Sequence, residues 1–330
     1  MNDRAIGLLD QYDIEVFHTK KGRGSIICET DKGCLILKDY VGNENHINLQ
    51  DHLLRQLKLH GFDSAEEILA TKEGALVTKD YDGSRYVLKT YPEGRECNIY
   101  DRTECLEAVR LLAKLHRKLE EIDPEGIPGC VPTRNMEFEK RNRELKKVKR
   151  FLRQKSQKNG FEIRLLHTYD LFWEQALKVA KDWEDYRKEL PDERTESGFL
   201  VCGFCHGDYQ YHNIIKKEDG WFLVNFEKCA ADDPMRDLYL YLRKLLEKGN
   251  WSVNLGKEIV AAYETERPLS PGSRIDLYYR LAYPEKFWKI VNFYYNSSKA
   301  WIPERNLEKL TKLLQQEQDK QQFLINCGLR

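Results

Sequence analysis

The segment His206-Gly207-Asp208-Tyr209-Gln210-Tyr211-His212-Asn213 sets a carboxylate and an amide five positions apart. Phosphoryl transfer asks little covalent chemistry of a protein: a carboxylate at the acceptor hydroxyl, oxygen ligands for magnesium and a cation on the nucleotide phosphates. Asp208 and Asn213 stand at the interval that serves the first two tasks in loops of the form H-R-D-x-x-x-x-N. On that reading Asp208 orients or deprotonates the acceptor and Asn213 holds a metal. The plainer alternative is a His-Gly-Asp turn with a capping Asn. The surroundings favour chemistry, because Phe199-Leu200-Val201 reads as a strand before the loop. After it, Ile214-Ile215, Glu218-Asp219-Gly220 and Trp221-Phe222-Leu223-Val224 read as a hairpin.

A competing pattern overlaps this loop. Cys202-Gly203-Phe204-Cys205-His206 matches both the C-x-x-C redox pair and the C-x-x-C-H haem-attachment string. A redox pair would sit near the start of a helix, whereas a strand precedes this one, and with nine Cys in the chain a chance match is not rare. No second Cys or His pair lies at zinc-ligand spacing nearby. The odd, scattered cysteines read as reduced thiols rather than a disulfide framework. The 54 basic and 54 acidic side chains cancel, leaving no net field to recruit nucleic acid or membrane. No apolar run reaches the roughly 20 residues needed to span a bilayer, and the acidic, broken N-terminus does not read as a signal peptide. Cytoplasmic synthesis is therefore the expectation.

The elements that must hold the loop fall into two groups, as 330 residues allow. Short β-type runs come first, at Ser25–Cys28, Cys34–Leu37, Ala75–Thr78 and Tyr86–Leu88. One helix interrupts them, from about Ile47 to His60, with Leu49, Leu53, Leu54 and Leu57 on one face and Gly61 as its stop. The connector Thr90–Glu96 carries a Pro and a Gly, and helices follow. Asp101 and Glu104 start the first as a capping-box-like pair. A second, basic helix runs from about Met136 to Lys158 with Leu145, Val148, Phe151 and Leu152 as its stripe, and a third from about Ile163 to Lys188. The Glu residues mixed into the basic helix favour a solvated face over a nucleic-acid patch. The aromatics after residue 250, among them Tyr279, Tyr283 and Phe287, read as core. The expected fold class is α+β and two-lobed, protein-kinase-like. Residues 1–90 form a small antiparallel β lobe with one helix, 91–96 a hinge and 97–330 a larger, mainly helical lobe.

HGDYQYHNII is similar to the H-G-D-x-x-x-x-N loop of aminoglycoside and choline phosphotransferases. The rest of the chain resembles the CotS-type spore-coat protein family, which shares that kinase-like fold. The segments that carry this second resemblance are KKGRGSIICETDKGCLILK, YVLKTYPEGREC, RNRELKKVKRFLRQKSQKNGFE and VNFEKCAADDPMRDLYLYLRK. It implies ATP and magnesium as cofactors, Asp208 and His206 as catalytic residues, and Lys38 as the strand lysine on the phosphates. It further implies Arg23, Gly24 and Ser25 in the phosphate-covering hairpin, Lys89 and Tyr91 beside the nucleotide, and a metal held by Asn213, Asn225 and Glu227. Two departures stand out. The helix after Lys38 offers Asn48 and Asp51, with Glu44 just before it, where a Glu partner is usual. Asn225 occupies the position of the main magnesium-binding Asp, and its neutral oxygen should weaken metal and nucleotide binding together. Asp237 reads equally as a brace of the catalytic loop and as an acidic helix-start residue. The resemblance implies a spore-coat component of weak or no activity that acts in coat assembly with other coat proteins. An active kinase for a small hydroxylated molecule is the second reading, and a redox or haem protein the third.

Overall fold

The computed structural model describes residues 3–22, 24–124, 127, 138–189, 203–296 and 303–330. By contact the chain divides into two compact units. The first comprises Met1–Thr133, Cys202–Tyr241 and Ala262–Pro268; the second comprises Arg134–Val201, Leu242–Ala261 and Leu269–Arg330. The architecture is an antiparallel-sheet N-lobe and a helical C-lobe.

The N-lobe opens with a short 3-10 helix, Asp3–Gln11, followed by β1 (Val16–Gly22), β2 (Ser25–Thr30), β3 (Gly33–Asp39), α1 (Glu44–Leu59), β4 (Ile68–Leu69), β5 (Thr78–Lys79) and β6 (Arg85–Thr90). The sheet order is β1-β2-β3-β6-β4, with β5 also on β6, and every pairing is antiparallel. β1 was not apparent in the sequence because its run, VFHTKKG, is mostly polar and its side chains are mostly exposed. The expected strand Ala75–Thr78 is reduced to Thr78–Lys79. One face of the sheet packs Ile26, Cys28, Leu35, Leu37, Tyr86 and Leu88 against Leu8, Leu9 and Tyr12 of the opening segment.

Helix α1 starts at Asn43, whose side chain accepts the His46 N–H, and stops at Gly61, which takes a left-handed φ of 78°. Leu49, Leu53, Leu54 and Leu57 are buried along one side, the stripe that their 3.6-residue period requires. β7 (Arg95–Glu96) leads to α2 (Arg102–Glu120), capped by Asp101 on the N–H groups of Thr103 and Glu104. Glu104 reaches back to the Asn98 N–H at 2.9 Å, three residues beyond the reciprocal partner that a capping box would use.

The second unit holds α3 (Phe138–Gln154) and α4 (Gly160–Glu189). In the first unit, β8 (Phe204–Cys205), β9 (Ile214–Lys217), β10 (Gly220–Leu223) and β11 (Ala230–Ala231) follow. The chain ends with α5 (Met235–Lys248), α6 (Val253–Glu264), α7 (Pro271–Ala282), α8 (Glu285–Asn296), α9 (Pro303–Gln315) and α10 (Glu317–Asn326). The late aromatics are core: Phe172 stacks on Phe287 at 4.7 Å, and Trp183 meets Tyr279 edge-on at 5.5 Å. Leu145, Val148 and Leu152 of α3 are buried in the same cluster, but Phe151 is half exposed. The basic face of α3 is partly neutralised within its unit, Lys149 pairing with Asp170 and Arg141 with Glu285. No helix among the described residues is long and apolar enough to cross a membrane.

Candidate functional site

All the described residues singled out for chemistry lie in the first unit. The loop His206–Asn213 runs between β8 and β9 and closes in a 3-10 turn, Tyr211–Asn213. The expected strand Phe199–Val201 and Cys202 lie outside the described residues; Cys205, on β8, is a buried free thiol whose pKa burial pushes well up.

The loop is held from below by Asp237 in the first turn of α5. Its carboxylate accepts the backbone N–H groups of His206 at 2.6 Å and Gly207 at 2.9 Å, and lies 3.3 Å from His116 Nε2. This is the brace, the first of the two readings Asp237 allowed. Burial works against its charge, but His116, His206 and the two N–H donors keep its pKa below the usual aspartate range. Gly207 has a φ of 79°, and a Cβ there would run into the Lys228 carbonyl, so only glycine fits. His206 is wholly buried with both ring nitrogens engaged. Nδ1 faces the Asp208 N–H at 3.2 Å and Nε2 faces the Val224 carbonyl at 3.0 Å. It therefore supports the loop from underneath instead of presenting a nitrogen to solvent.

Asp208 projects partly exposed. One oxygen accepts from Gln210 Nε2 at 2.6 Å and the other pairs with Lys228 at 2.8 Å. Burial would raise its pKa, but Lys228 and Gln210 hold it below the ordinary value, so it is an anion at neutral pH. Asn213 turns its Nδ2 back to the Asp208 carbonyl at 2.8 Å, tying the two ends of the motif together.

The hairpin β9–β10 delivers Asn225. Its φ of 68° is left-handed, which Asn tolerates better than most residues. Its Nδ2 donates to Asn213 Oδ1 at 2.6 Å, and its Oδ1 accepts from the Lys38 ammonium. Glu227 Oε1 receives both Lys38 and Lys89, each at 2.9 Å. Burial opposes the Glu227 charge, but the two lysines override it and pull its pKa to about 2.

The sheet explains why two lysines converge. Lys38 lies opposite Ser25 on β2, and Lys89 lies opposite Ile36, two residues before Lys38 on β3. Alternation therefore sends Ser25, Lys38 and Lys89 out of one face. Lys89 is fully buried and its ammonium is taken up by Glu66 at 2.9 Å as well as by Glu227. Burial disfavours its charge, but the two carboxylates more than compensate and raise its pKa. Glu66 also accepts the backbone N–H groups of Asn225 and Phe226, each at 2.9 Å, and so fixes the strained turn. The glutamate partner of Lys38 that was sought on α1 comes instead from Glu227, after the hairpin, while Glu66, just before β4, serves Lys89 on β6. The α1 contribution is His46, whose Nε2 meets the Glu227 carbonyl at 2.8 Å.

Glu66, His116 and Lys228 were not picked out in the sequence as site residues. Lys228 adjoins Glu227 and was within reach of motif reasoning; Glu66 sits in a loop with no pattern to mark it. Gly24 takes a left-handed φ of 68° in the β1–β2 turn, Ser25 is buried, and half-buried Tyr91 directly follows β6. Arg23 lies outside the described residues.

The expected metal residues are brought together, but their donor set does not fit magnesium. Asn213 and Asn225 are neutral amides bonded to each other, and Glu227, the one carboxylate of the expected set, is already neutralised by two ammonium groups. Magnesium gives up its water reluctantly and is bound through charged carboxylates. Among the described residues, no three His, Cys, Asp or Glu side chains converge as a cation site.

Residues 7–327 match the family described as "Spore coat putative kinase YutH". Spore coat protein S of Bacillus subtilis (strain 168) is 25% identical over 342 residues, covering 96% of this chain and 92% of its own length. An aminoglycoside phosphotransferase from Alicyclobacillus acidocaldarius superposes with a TM-score of 0.80 at 20% identity, covering 97% of this chain and 93% of that one. A spectinomycin phosphotransferase in complex with ADP and spectinomycin gives 0.70 at 12% identity, covering 100% and 99%. These structural likenesses establish the fold.

Proposed function

The chain belongs to the spore coat putative kinase YutH family, and from that premise we propose that it is a coat component whose phosphotransfer centre is weak or inactive. It works in coat assembly, through its surface, with other coat proteins as partners. On this scaffold residues 1–90 are the small lobe, 91–96 the hinge and 97–330 the large lobe. The observation that carries the reading is the Asn225 amide closed on Asn213 and Lys38. In an active centre of this class an anion at position 225 would draw a divalent cation between loop and hairpin; here the amide satisfies both neighbours by itself. Glu227, the nearest carboxylate, would have to leave two lysines to replace it.

A second reading, an ATP-dependent phosphotransferase acting on a small-molecule hydroxyl, is favoured by the intact loop. Asp208 is anionic, tied to Asn213 and braced by Asp237, as a base for a hydroxyl proton requires. In that reading Lys38 faces the phosphates, with Gly24, Ser25 and Tyr91 on the nucleotide side, and His206 positions Asp208. Calorimetry with ATP, with and without magnesium, on wild type and Asn225→Asp separates the two. The first reading expects no magnesium-dependent binding by wild type and its appearance in the variant. Magnesium-dependent binding by wild type at a micromolar to low-millimolar Kd, roughly −8 to −4 kcal/mol, would overturn it in favour of the second.

A further inference from the structure

Helix α3 presents opposite faces to the core of the second unit and to solvent. Leu145, Val148 and Leu152 turn one side into the core. On the other side Arg143, Lys146, Lys147, Arg150 and Arg153 are all exposed. Spacings of three, four and seven residues gather them into one row, about 15 Å long at 1.5 Å of rise per residue. Among the described residues, none of them forms a salt bridge. The basic residues nearer the buried side are matched, Arg141 by Glu285 and Lys149 by Asp170. Like charges three and four residues apart repel and work against the helix that carries them. The helix macrodipole rewards Arg150 and Arg153 in the last turns, but Arg143, Lys146 and Lys147 lie mid-helix, beyond its reach. The chain as a whole is neutral, with 54 basic against 54 acidic side chains, so the row is a local concentration of charge and not a share of a general excess. An anionic partner laid along it would turn the repulsion into attraction.

The surroundings of the row select among anions. The apolar stripe is spent on the core, so the helix has no face to sink into a bilayer. Glu144 and Lys149, five residues apart, fall on opposite sides of the row, and each side carries a carboxylate. Glu144 accepts the Trp288 indole N–H at 2.7 Å, and Asp170, the partner of Lys149, has a side chain 63% exposed. A duplex that takes a helix into its ~12 Å major groove sets phosphate rows along both flanks, against these acids. A single acidic chain is narrow enough to follow the row between them. Phe151 gives it an apolar foothold at the edge of the row, 51% exposed and with its ring held edge-on to Tyr295 at 5.4 Å.

We propose that this row on α3 is a docking surface for an acidic segment of another protein. That the partner is a coat protein rests on the reading above; that it is acidic rests on α3 alone. The test is fluorescence anisotropy of the full chain with a labelled oligoglutamate of about ten residues, enough to run the row as a helix, at low and at physiological ionic strength. Binding should saturate and should weaken as salt rises. Arg143→Glu/Lys147→Glu, two exposed substitutions, should weaken it at least tenfold, with a melting temperature equal to or above that of wild type because the repulsion in the row is relieved. Lys178→Glu/Lys181→Glu makes the same charge change at exposed positions of α4 and should cost less than about twofold. Duplex DNA and phosphatidylglycerol vesicles, run in parallel, should bind more weakly than the peptide. The proposal fails if oligoglutamate does not saturate or if the α4 variant loses as much as the α3 variant. It fails too if DNA or vesicles bind more tightly than the peptide and are lost with the α3 variant, which would make the row a nucleic-acid or membrane contact. None of these outcomes depends on nucleotide binding by wild type or by Asn225→Asp, so the docking surface and the inactive centre can fail separately.

Discussion

The loop His206–Asn213 and the segment Asn225–Lys228 meet at two side-chain contacts, Asn225 with Asn213 and Lys228 with Asp208, yet they differ in what they present to the site. The loop keeps its glycine where nothing larger fits, its two backbone donors on Asp237 and its outward carboxylate. The segment is braced as firmly but begins with a neutral side chain, Asn225. Glu66 holds the turn at Asn225 and Phe226, while an amide stands where an anion is expected. Architecture and chemistry are thus separable here: the brace of each element is buried and intact, and the difference is confined to a single side-chain atom type facing the site.

Removing the brace of the segment is the severest way to break that comparison. Glu66→Ala leaves the fully buried Lys89 with Glu227 alone and strips two N–H groups of their acceptor. A loss of about 3–5 kcal/mol is expected, read as a fall in the urea midpoint. A loss below 1 kcal/mol would mean the turn holds itself. The matching insult to the loop is Asp237→Asn, which can accept through one oxygen only. It should cost about 2–3 kcal/mol, less than Glu66→Ala because no buried ammonium is orphaned.

Acid provides the next measure. The Glu227 carboxyl is held at about 2 against an ordinary glutamate value of 4.5, so between those values the unfolded chain binds a proton that the folded chain refuses. Its stabilisation is complete above about pH 5 and drains away as pH falls towards 2, a swing of about 2–3 kcal/mol. Glu104, also lowered to about 2 by Arg95 with burial opposing, adds to the same limb. Denaturation midpoints from pH 7 to 2.5 should fall less steeply for Glu227→Gln than for wild type; parallel curves would refute the assignment.

Asn225→Asp sharpens the comparison without breaking it. The left-handed backbone suits Asp as well as Asn, so the fold should hold while magnesium-dependent ATP affinity rises at least tenfold, about 1.4 kcal/mol. The smallest effect is expected at Lys228→Ala. The lysine is mostly exposed, so stability should change by less than ~1 kcal/mol, while the Asp208 carboxyl, followed by NMR titration, moves upward.

The motif Asp208–Asn213, the lobe order and the α1 stripe were legible because each is a local regularity: a spacing, a composition shift, a period. Asn225 was legible as a departure for the same reason. Glu66 was not, since nothing in Ala65-Glu66-Glu67 distinguishes a buried acid from an exposed one. Only the fold shows that Glu67 faces Lys58 near solvent while Glu66 turns inward to Lys89. His206 was legible as part of the motif, but adjacency to Asp208 does not reveal that both its nitrogens face the protein's interior.

The Lys89–Glu66–Glu227 cluster also sets an order of events. Glu66 and Lys89 leave the ribosome close together, but Glu227 follows 138 residues after Lys89. At roughly 5–20 residues per second, the newborn sheet waits about 7–28 seconds before the second carboxylate reaches its buried ammonium. Until then Glu66 must offset that charge alone, and its acceptor oxygens have no backbone turn to clamp. The N-terminal sheet is therefore expected to gain its final rigidity only after two-thirds of the chain has been made, a timing that a protease pulse on stalled nascent chains would reveal.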